Sequence, residues 1–567
     1  MAHFSFLLVV PCLCLLTERS VGIGFQVTEV NAPWGQIKGV QKVSVDGVPY
    51  ASFEGVPYAE PPLGNLRFAK PVLSKKNNGS SPYLASAPKP RCAGWDVTFS
   101  DMSEDCLFLD IYVPQTNSSQ ALPVLLYIHG GGFAFAIERH DPEGIIGRNC
   151  AAGPGCLLAF VNYRLGAFGF LSTGDDVAKG NWGLWDQRAA LLWLKDNIGA
   201  FGGDPNNINI FGESAGAASV SYQLLSPQSK GLFRRAVMHS GSATSTWAFQ
   251  RHPAAMANRL AQTFGCGQST SSNAAHQALV ACLRSKSSDE IKNKTFELLD
   301  SLPEYTQVAD YLFVPVVDGD FVVDEPRRLL KNVSFLQSQL DSGIDILAGN
   351  VNNEGAHMMM NKKLSKPPKF GDFFTKQLLF GELTQRYGHS TPEAEAVVDQ
   401  FYRHGADLLS LMGLRIAEAH GDPGFVMPSI ENARAISDAQ QSISGGGKTY
   451  FYYFNYCPSY TGQMCMMHGW DVGFLFPKGH MGNAEDDKMS GIYSRMVTSF
   501  ASAGRPDVGL KLTWPVYSKS TGGQYVMLSS TPQVLSNLLP KRTQLWLDTL
   551  DRMMEDDGPL TQTPVVG

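Results

Sequence analysis

Short apolar runs alternate with stretches of helical period between residues 122 and 211. Residues 124–128 and 157–161 are continuously apolar, and residues 208–211 form a third short run. A run that is apolar at every position, rather than at every second one, is what a strand buried on both faces requires. Residues 182–198 lie between the second and third runs, and their apolar positions recur at helical spacing. Strand, helix and strand in succession predict a parallel sheet joined by right-handed crossovers. Residues 344–348 predict a further strand, and residues 217–225 a helix directly after the third run. The length of 567 residues would by itself allow roughly four domains. Yet there is no internal repeat, no heptad run and no low-complexity linker longer than residues 442–448. The expected organisation is therefore one α/β domain over residues 23–555, a large twisted and mostly parallel sheet flanked by helices, followed by a short tail at 556–567.

The first two dozen residues stand apart from this pattern. Residues 7–16 are almost wholly apolar, with small residues at Ser20, Gly22 and Gly24 behind them. The run is too short to cross a bilayer as a helix and reads as a signal peptide over residues 1–22. Cys12 and Cys14 would leave with it, so eight of the ten cysteines remain, an even number open to disulfide pairing. Asn78, Asn117, Asn293 and Asn332 each open an Asn-x-Ser/Thr sequon. Residues 558–567 carry no apolar tail for a lipid anchor. A secreted, extracellular glycoprotein without a membrane anchor is expected.

Composition narrows the partners. Hydrophobic residues make up 44% and charged residues 17%, enough apolar side chain for a large core. The net charge of −6 is spread without acidic or basic runs, which favours neither nucleic acid nor an anionic membrane. No feature of the chain fixes an oligomeric state.

Candidate chemistry begins at Gly212-Glu213-Ser214-Ala215-Gly216. The pentapeptide is common by chance, but here a strand-like run precedes it and a helix with small residues follows it. That context is a nucleophile elbow: Ser214 sits in a strained turn, and the flanking glycines remove Cβ atoms where strand and helix approach. His129-Gly130-Gly131-Gly132-Phe133 directly follows the run at 124–128. Glycines there let backbone N–H groups turn inward and approach a substrate. Gly131 and Gly132, with the N–H of Ala215, are expected to hold a tetrahedral oxyanion, where losing one donor costs about 3 kcal/mol. No cysteine–histidine cluster suggests a metal, and no cofactor is expected.

These residues resemble the type-B carboxylesterase family, which includes cholinesterases and bile-salt-activated lipase. Phe201-Gly202-Gly203-Asp204-Pro205-Asn206-Asn207-Ile208 leading into the pentapeptide is similar to the family's active-site signature. Glu104-Asp105-Cys106-Leu107-Phe108-Leu109-Asp110-Ile111-Tyr112-Val113-Pro114 is similar to its second signature, and Tyr58-Ala59-Glu60-Pro61-Pro62-Leu63-Gly64 and Asn162-Tyr163-Arg164-Leu165-Gly166 match further blocks. The resemblance spans about residues 26 to 550 and implies an α/β-hydrolase fold.

A serine hydroxyl needs a base, and the base an orienting carboxylate. Among twelve histidines, His468 in Met467-His468-Gly469-Trp470-Asp471 lies downstream in the order serine, acid, histidine, and it matches the family's His-Gly motif. His129, His239 and His357 are the rivals. Glu354 follows the strand predicted at 344–348 and matches the family's acid motif; Asp345 and Asp471 are its rivals. Glu213 and Ser240 resemble polar groups of the family that support the catalytic residues. Cys92–Cys106 and Cys266–Cys282 resemble family disulfides, whereas Cys150, Cys156, Cys457 and Cys465 could pair or stay free. The loop from Cys92 to Cys106 is much shorter than in cholinesterases, and Trp95 does not match the tryptophan that holds choline there. The Gly-Gln-Ser of many juvenile hormone esterases is absent as well. The reading is a general carboxylesterase acting on a small-molecule ester through an acyl-enzyme on Ser214. A lipase resembling the bile-salt enzyme, and a non-catalytic adhesion or binding module on the same scaffold, are the alternatives.

Overall fold

A computed structural model describes residues 27–555, apart from residues 80, 96–98, 117–119, 138, 152–154, 267–271, 303–311, 361–371, 404–408 and 460–464. The expected signal peptide, the tail at 556–567 and Asn117 lie outside the described residues.

Strand β1 (Leu122–Ile128) is buried at every position. Val124, Leu126 and Ile128 enter the core on one side of the sheet, while Leu125 and Tyr127 enter a second core on the other. The same demand for two covered faces holds along a parallel run of seven strands. These are β1, β2 (Leu157–Val161), β3 (Gly203–Glu213), β4 (Arg235–His239), β5 (Asp345–Val351), β6 (Thr449–Phe454) and β7 (Tyr525–Leu528), ordered β2-β1-β3-β4-β5-β6-β7. In register, Ile210 lies between Leu126 and Ala236. Antiparallel strands extend both margins: Phe108–Pro114 pairs with β2, with Pro49–Pro57, Gly35–Val43 and Val27–Ala32 beyond it, and Gln533–Leu535 pairs with β7. The sheet of 13 described strands is thus parallel in its centre and antiparallel at its margins, except that the short strand Tyr83–Leu84 pairs parallel with Gly35–Val43.

Helices cover both faces. Helices α1 (Trp182–Asn197) and α2 (Ala215–Leu225) put Leu184, Leu191, Ala217 and Val220 into the first core. Helix α3 (Asp471–Leu475) and the long helix α4 (Ala484–Ala503) put Phe474, Tyr493, Met496 and Phe500 into the second. The start of α4 is set by Asn483, whose side chain accepts from the N–H groups of Glu485 and Asp486, and its end by Gly504 at φ 69°. Arg164 ties the loop after β2 to α1 through a buried fork, with Nε and Nη2 donating to Asp186 at 2.8 and 2.7 Å.

The predicted elements are present with shifted ends. The expected helix 182–198 stops at Asn197, and a 3-10 turn, Ile198–Phe201, finishes at Gly202 with φ 84°. The strand expected at 208–211 runs over Gly203–Glu213, because its ladder reaches past the apolar stretch to pair Gly203 with Leu122. The helix expected from 217 begins at Ala215, directly after the turn at Ser214.

Four disulfides form: Cys92–Cys106, Cys150–Cys156, Cys266–Cys282 and Cys457–Cys465. The two pairings left open by the sequence are therefore both made. Asn78, Asn293 and Asn332 are exposed, and the Asn332 side chain also caps Val333–Leu340 by accepting from Phe335 N. Among the described residues no helix is long and apolar enough to cross a membrane.

Candidate active site

The elbow joins β3 to α2. Ser214 has φ 58° and ψ −124°, a conformation that costs a non-glycine residue roughly 1–3 kcal/mol unless its surroundings enforce it. They do so by close approach. A Cβ on Gly216 would lie 1.9 Å from Ile128 O, one on Gly212 would lie 2.5 Å from Gly216 C, and one on Gly241 would lie 2.4 Å from Ser214 O. Ser214 N donates to His239 O at 3.0 Å, which pins the turn to the neighbouring strand.

The glycine loop after β1 lies against the serine. A Cβ on Gly130 would sit 2.8 Å from Glu213 Oε2 and 3.1 Å from Ser214 Cβ. Gly131 and Gly132 adopt φ 100° and 59°, and Gly131 O accepts from Ala134 N and Phe135 N, which closes the loop into a tight turn. Ala215, at the first position of α2, presents its N–H at the positive end of the helix dipole.

Glu354 and His468 meet because their loops are joined by backbone. Asn353 N donates to Met466 O at 3.2 Å, and Asn353 bridges Met467. The Cys457–Cys465 disulfide closes the loop just before this junction. His468 Nδ1 donates to Glu354 Oε2 at 2.8 Å, which leaves a lone pair on Nε2 facing the Ser214 hydroxyl, also at 2.8 Å. The second Glu354 oxygen accepts from Asn350 Nδ2 and Val351 N, each at 3.0 Å. Serine, imidazole and carboxylate thus form one hydrogen-bonded line.

Three buried carboxyls surround that imidazole. Glu213 Oε1 is 3.3 Å from His468 Nε2. Burial, reinforced by Asp471 and Glu354, pushes Glu213 up to about 8 against the pull of His468. Burial alone would lower His468, but Glu213 and Glu354 outweigh it and raise the imidazole to about 9. Desolvation, the largest effect on both groups, favours the uncharged forms of this close pair over the ion pair. Burial raises Asp471 to about 6 even though Tyr493 donates to it.

The rival residues have other duties. His129 stacks on Tyr163 at 4.5 Å, and burial lowers it to about 4. His239 lies beneath the elbow with Nδ1 2.7 Å from Tyr452 Oη. His357 donates through Nδ1 to Glu354 O and packs its ring 5.1 Å from His468. Asp345 pairs with Arg235, and Asp471 accepts from Tyr493. Ser240, at φ 56°, is fully buried, and its hydroxyl makes no hydrogen bond among the described residues. Trp95 is core, edge-on to Phe135 at 5.6 Å.

Phe425 was not singled out in the sequence, yet its ring lies 4.2 Å from the His468 ring, with Trp247 behind it at 5.4 Å. It comes from the turn Asp422–Val426, which carries no motif. Among the described residues no group of three or more His, Cys, Asp or Glu could hold a metal ion.

The profile described as "Carboxylesterase family" matches residues 26–546. The chain is 32% identical to the mouse protein named carboxylesterase 1E, over 87% of this chain and 88% of that one. It is 31% identical to the fatty acyl-CoA hydrolase precursor, medium chain, of the duck Anas platyrhynchos, over 93% of each. It is also 31% identical to mouse cholinesterase, over 93% of this chain and 88% of that one.

Proposed function

The chain belongs to the carboxylesterase family, a family of carboxylic ester hydrolases with the α/β-hydrolase fold, and from that premise we propose that Ser214, His468 and Glu354 act together as its catalytic triad. The Ser214 hydroxyl attacks the ester carbonyl while its proton passes to His468 Nε2. The N–H groups of Gly131, Gly132 and Ala215 receive the oxyanion, and Glu354 steadies the imidazolium that forms. His468 then gives the proton to the departing alcohol, and in the second half-reaction it activates the water that releases the acid. The observation that carries this reading is the imidazole of His468 bridging Ser214 Oγ and Glu354 Oε2 at 2.8 Å each.

A fluorophosphonate should label one serine per chain, identified by peptide mapping as Ser214. Ser214→Ala should lose both labelling and turnover across a panel of acyl esters that includes a choline ester and a medium-chain acyl-CoA thioester. Equal hydrolysis by wild type and variant would sink the triad and revive a binding role. The panel also separates an esterase from a lipase, through soluble against emulsified long-chain esters. Residues 23–555 are read as one domain. Secretion is supported by the apolar leader, the four disulfides and the exposed sequons; N-terminal sequencing of protein from culture medium tests it.

A further inference from the structure

Behind the triad lies a buried polar cluster that the reaction above does not use. Asp471, at the start of α3, accepts from Tyr493 Oη at 2.5 Å. Tyr493 Oη is in turn 3.0 Å from Tyr452 Oη and 3.0 Å from His239 Nδ1, and Tyr452 Oη is 2.7 Å from that same nitrogen. Four separate elements supply these side chains: β4, β6, α3 and α4. All four residues are buried. The sheet is shaped around them: a Cβ on Gly349 of β5 would lie 2.3 Å from the Tyr452 ring.

The protons can be placed by counting donors. Tyr493 has one, and the short contact commits it to the Asp471 carboxylate. Tyr452 has one, for Tyr493 or for His239. His239 Nε2 is buried and has no partner among the described residues. If Tyr452 donated to His239, that Nε2 would carry an orphaned N–H. If His239 Nδ1–H donates to Tyr452 instead, only a lone pair is left over, and an unpaired acceptor is more tolerable than an unpaired donor. The second arrangement is a directional chain, His239 to Tyr452 to Tyr493 to Asp471, with every proton pointing towards the carboxylate and each link polarising the next.

We propose that this chain keeps Asp471 ionised, so that the proton shared within the carboxyl cluster rests on Glu213 and His468 stays neutral. Asp471 is faced by Glu213 from β3, Tyr127 from β1, Glu354 from the loop after β5, His468 from its own loop and Tyr493 from α4. If Asp471 captured the proton, Glu213 would ionise 3.3 Å from His468 Nε2, hold the imidazole in its charged form and compete with Ser214 for that nitrogen. Tyr493, Tyr452 and His239 are therefore positioning residues, acting through Asp471 and Glu213. The inference rests on the triad reading.

The test is kcat/KM against pH for the full-length wild type, Tyr493→Phe, Asp471→Asn, Glu213→Gln and the Tyr493→Phe/Glu213→Gln pair. Rates are normalised to serines titrated by a fluorophosphonate at about pH 9, so misfolded protein does not count. In Tyr493→Phe and Asp471→Asn the acid limb should move up by about one pH unit, roughly tenfold less activity near the imidazole's ordinary value of about 6.5. The alkaline plateau should stay within a few-fold of wild type. With Glu213→Gln present, Tyr493→Phe should no longer shift the limb. A limb that stays in place or moves down, or a shift that survives Glu213→Gln, overturns the proposal. Should Tyr493→Phe fail to fold, Tyr452→Phe must shift the limb in the same direction by a smaller amount, and an unmoved limb overturns the proposal equally. Loss of the triad itself would show differently, as wild-type protein whose Ser214 takes no label at any pH.

Discussion

Replacing Glu354 by glutamine keeps the shape of the side chain and changes one atom from acceptor to donor. The site then has to choose where that NH2 goes. At the position of Oε1 it would face Asn350 Nδ2 and Val351 N, two donors now at 3.0 Å, and set donor against donor twice in a buried place. Each unsatisfied buried group costs about 1–3 kcal/mol, so this orientation is the worse one. At the position of Oε2 the NH2 faces a single group, His468 Nδ1, and the imidazole can accept by moving its proton to Nε2. The nitrogen that must take the Ser214 proton would then already carry one. A serine triad whose acid becomes an amide in this way loses about 10⁴-fold in kcat, or about 5.5 kcal/mol at about 1.36 kcal/mol per decade. The expected result for Glu354→Gln is that loss in single-turnover acylation by an aryl ester, with a matching fall in the fluorophosphonate inactivation rate and little change in thermal midpoint. A folded variant that loses less than about 30-fold would refute the assigned tautomer, and with it the role of Glu354.

Three further outcomes follow from the same structure. Activity of the wild type should fall as pH drops and His468 takes up a proton: burial opposes the imidazolium, Glu354 favours it, and Glu213, holding the shared proton, adds no charge of its own. Glu213→Gln, uncharged like the protonated Glu213 it replaces, should leave the limb within about half a pH unit of wild type, and a limb that falls by more than about one unit in a kcat/KM profile would show that Glu213 was ionised. Gly216→Ala should destabilise by about 2–3 kcal/mol in chemical denaturation, because its Cβ would meet Ile128 O at 1.9 Å, although alanine favours a helix over glycine by about 1 kcal/mol; a gain in stability would refute the close approach of strand and helix. Arg164→Met should lose about 3–5 kcal/mol by stranding Asp186 at full burial. Urea melts in which Arg164→Met/Asp186→Leu regains none of that loss would show that the charge is not the cause.

The parts of the site that could be read from the chain are those whose physics is local. Ser214, its flanking glycines and the loop at Gly131 and Gly132 each belong to one continuous strand-turn segment, where backbone sterics and apolar pattern act over a few neighbours. Glu354 and His468 needed the family resemblance as well, since no pattern in a linear chain says that residues 114 positions apart will share a proton. The parallel ladder decides that: β3, β4, β5 and β6 end at a common edge of the sheet, and their loops deliver Ser214, Glu354 and His468 to one place. Phe425 against His468, and the chain from His239 to Asp471, were invisible for the same reason. Each pairs elements remote in sequence, and the residue types involved are ordinary core residues until burial strips them of water. Alone, the sequence determined the two-sided burial of the central strands and the strained turn that carries the serine, because hydrophobic period and glycine sterics are properties of neighbours. Only the tertiary structure decided which buried carboxyls face one imidazole and how their shared proton is held, because that balance depends on distances and desolvation that exist only once the sheet has closed.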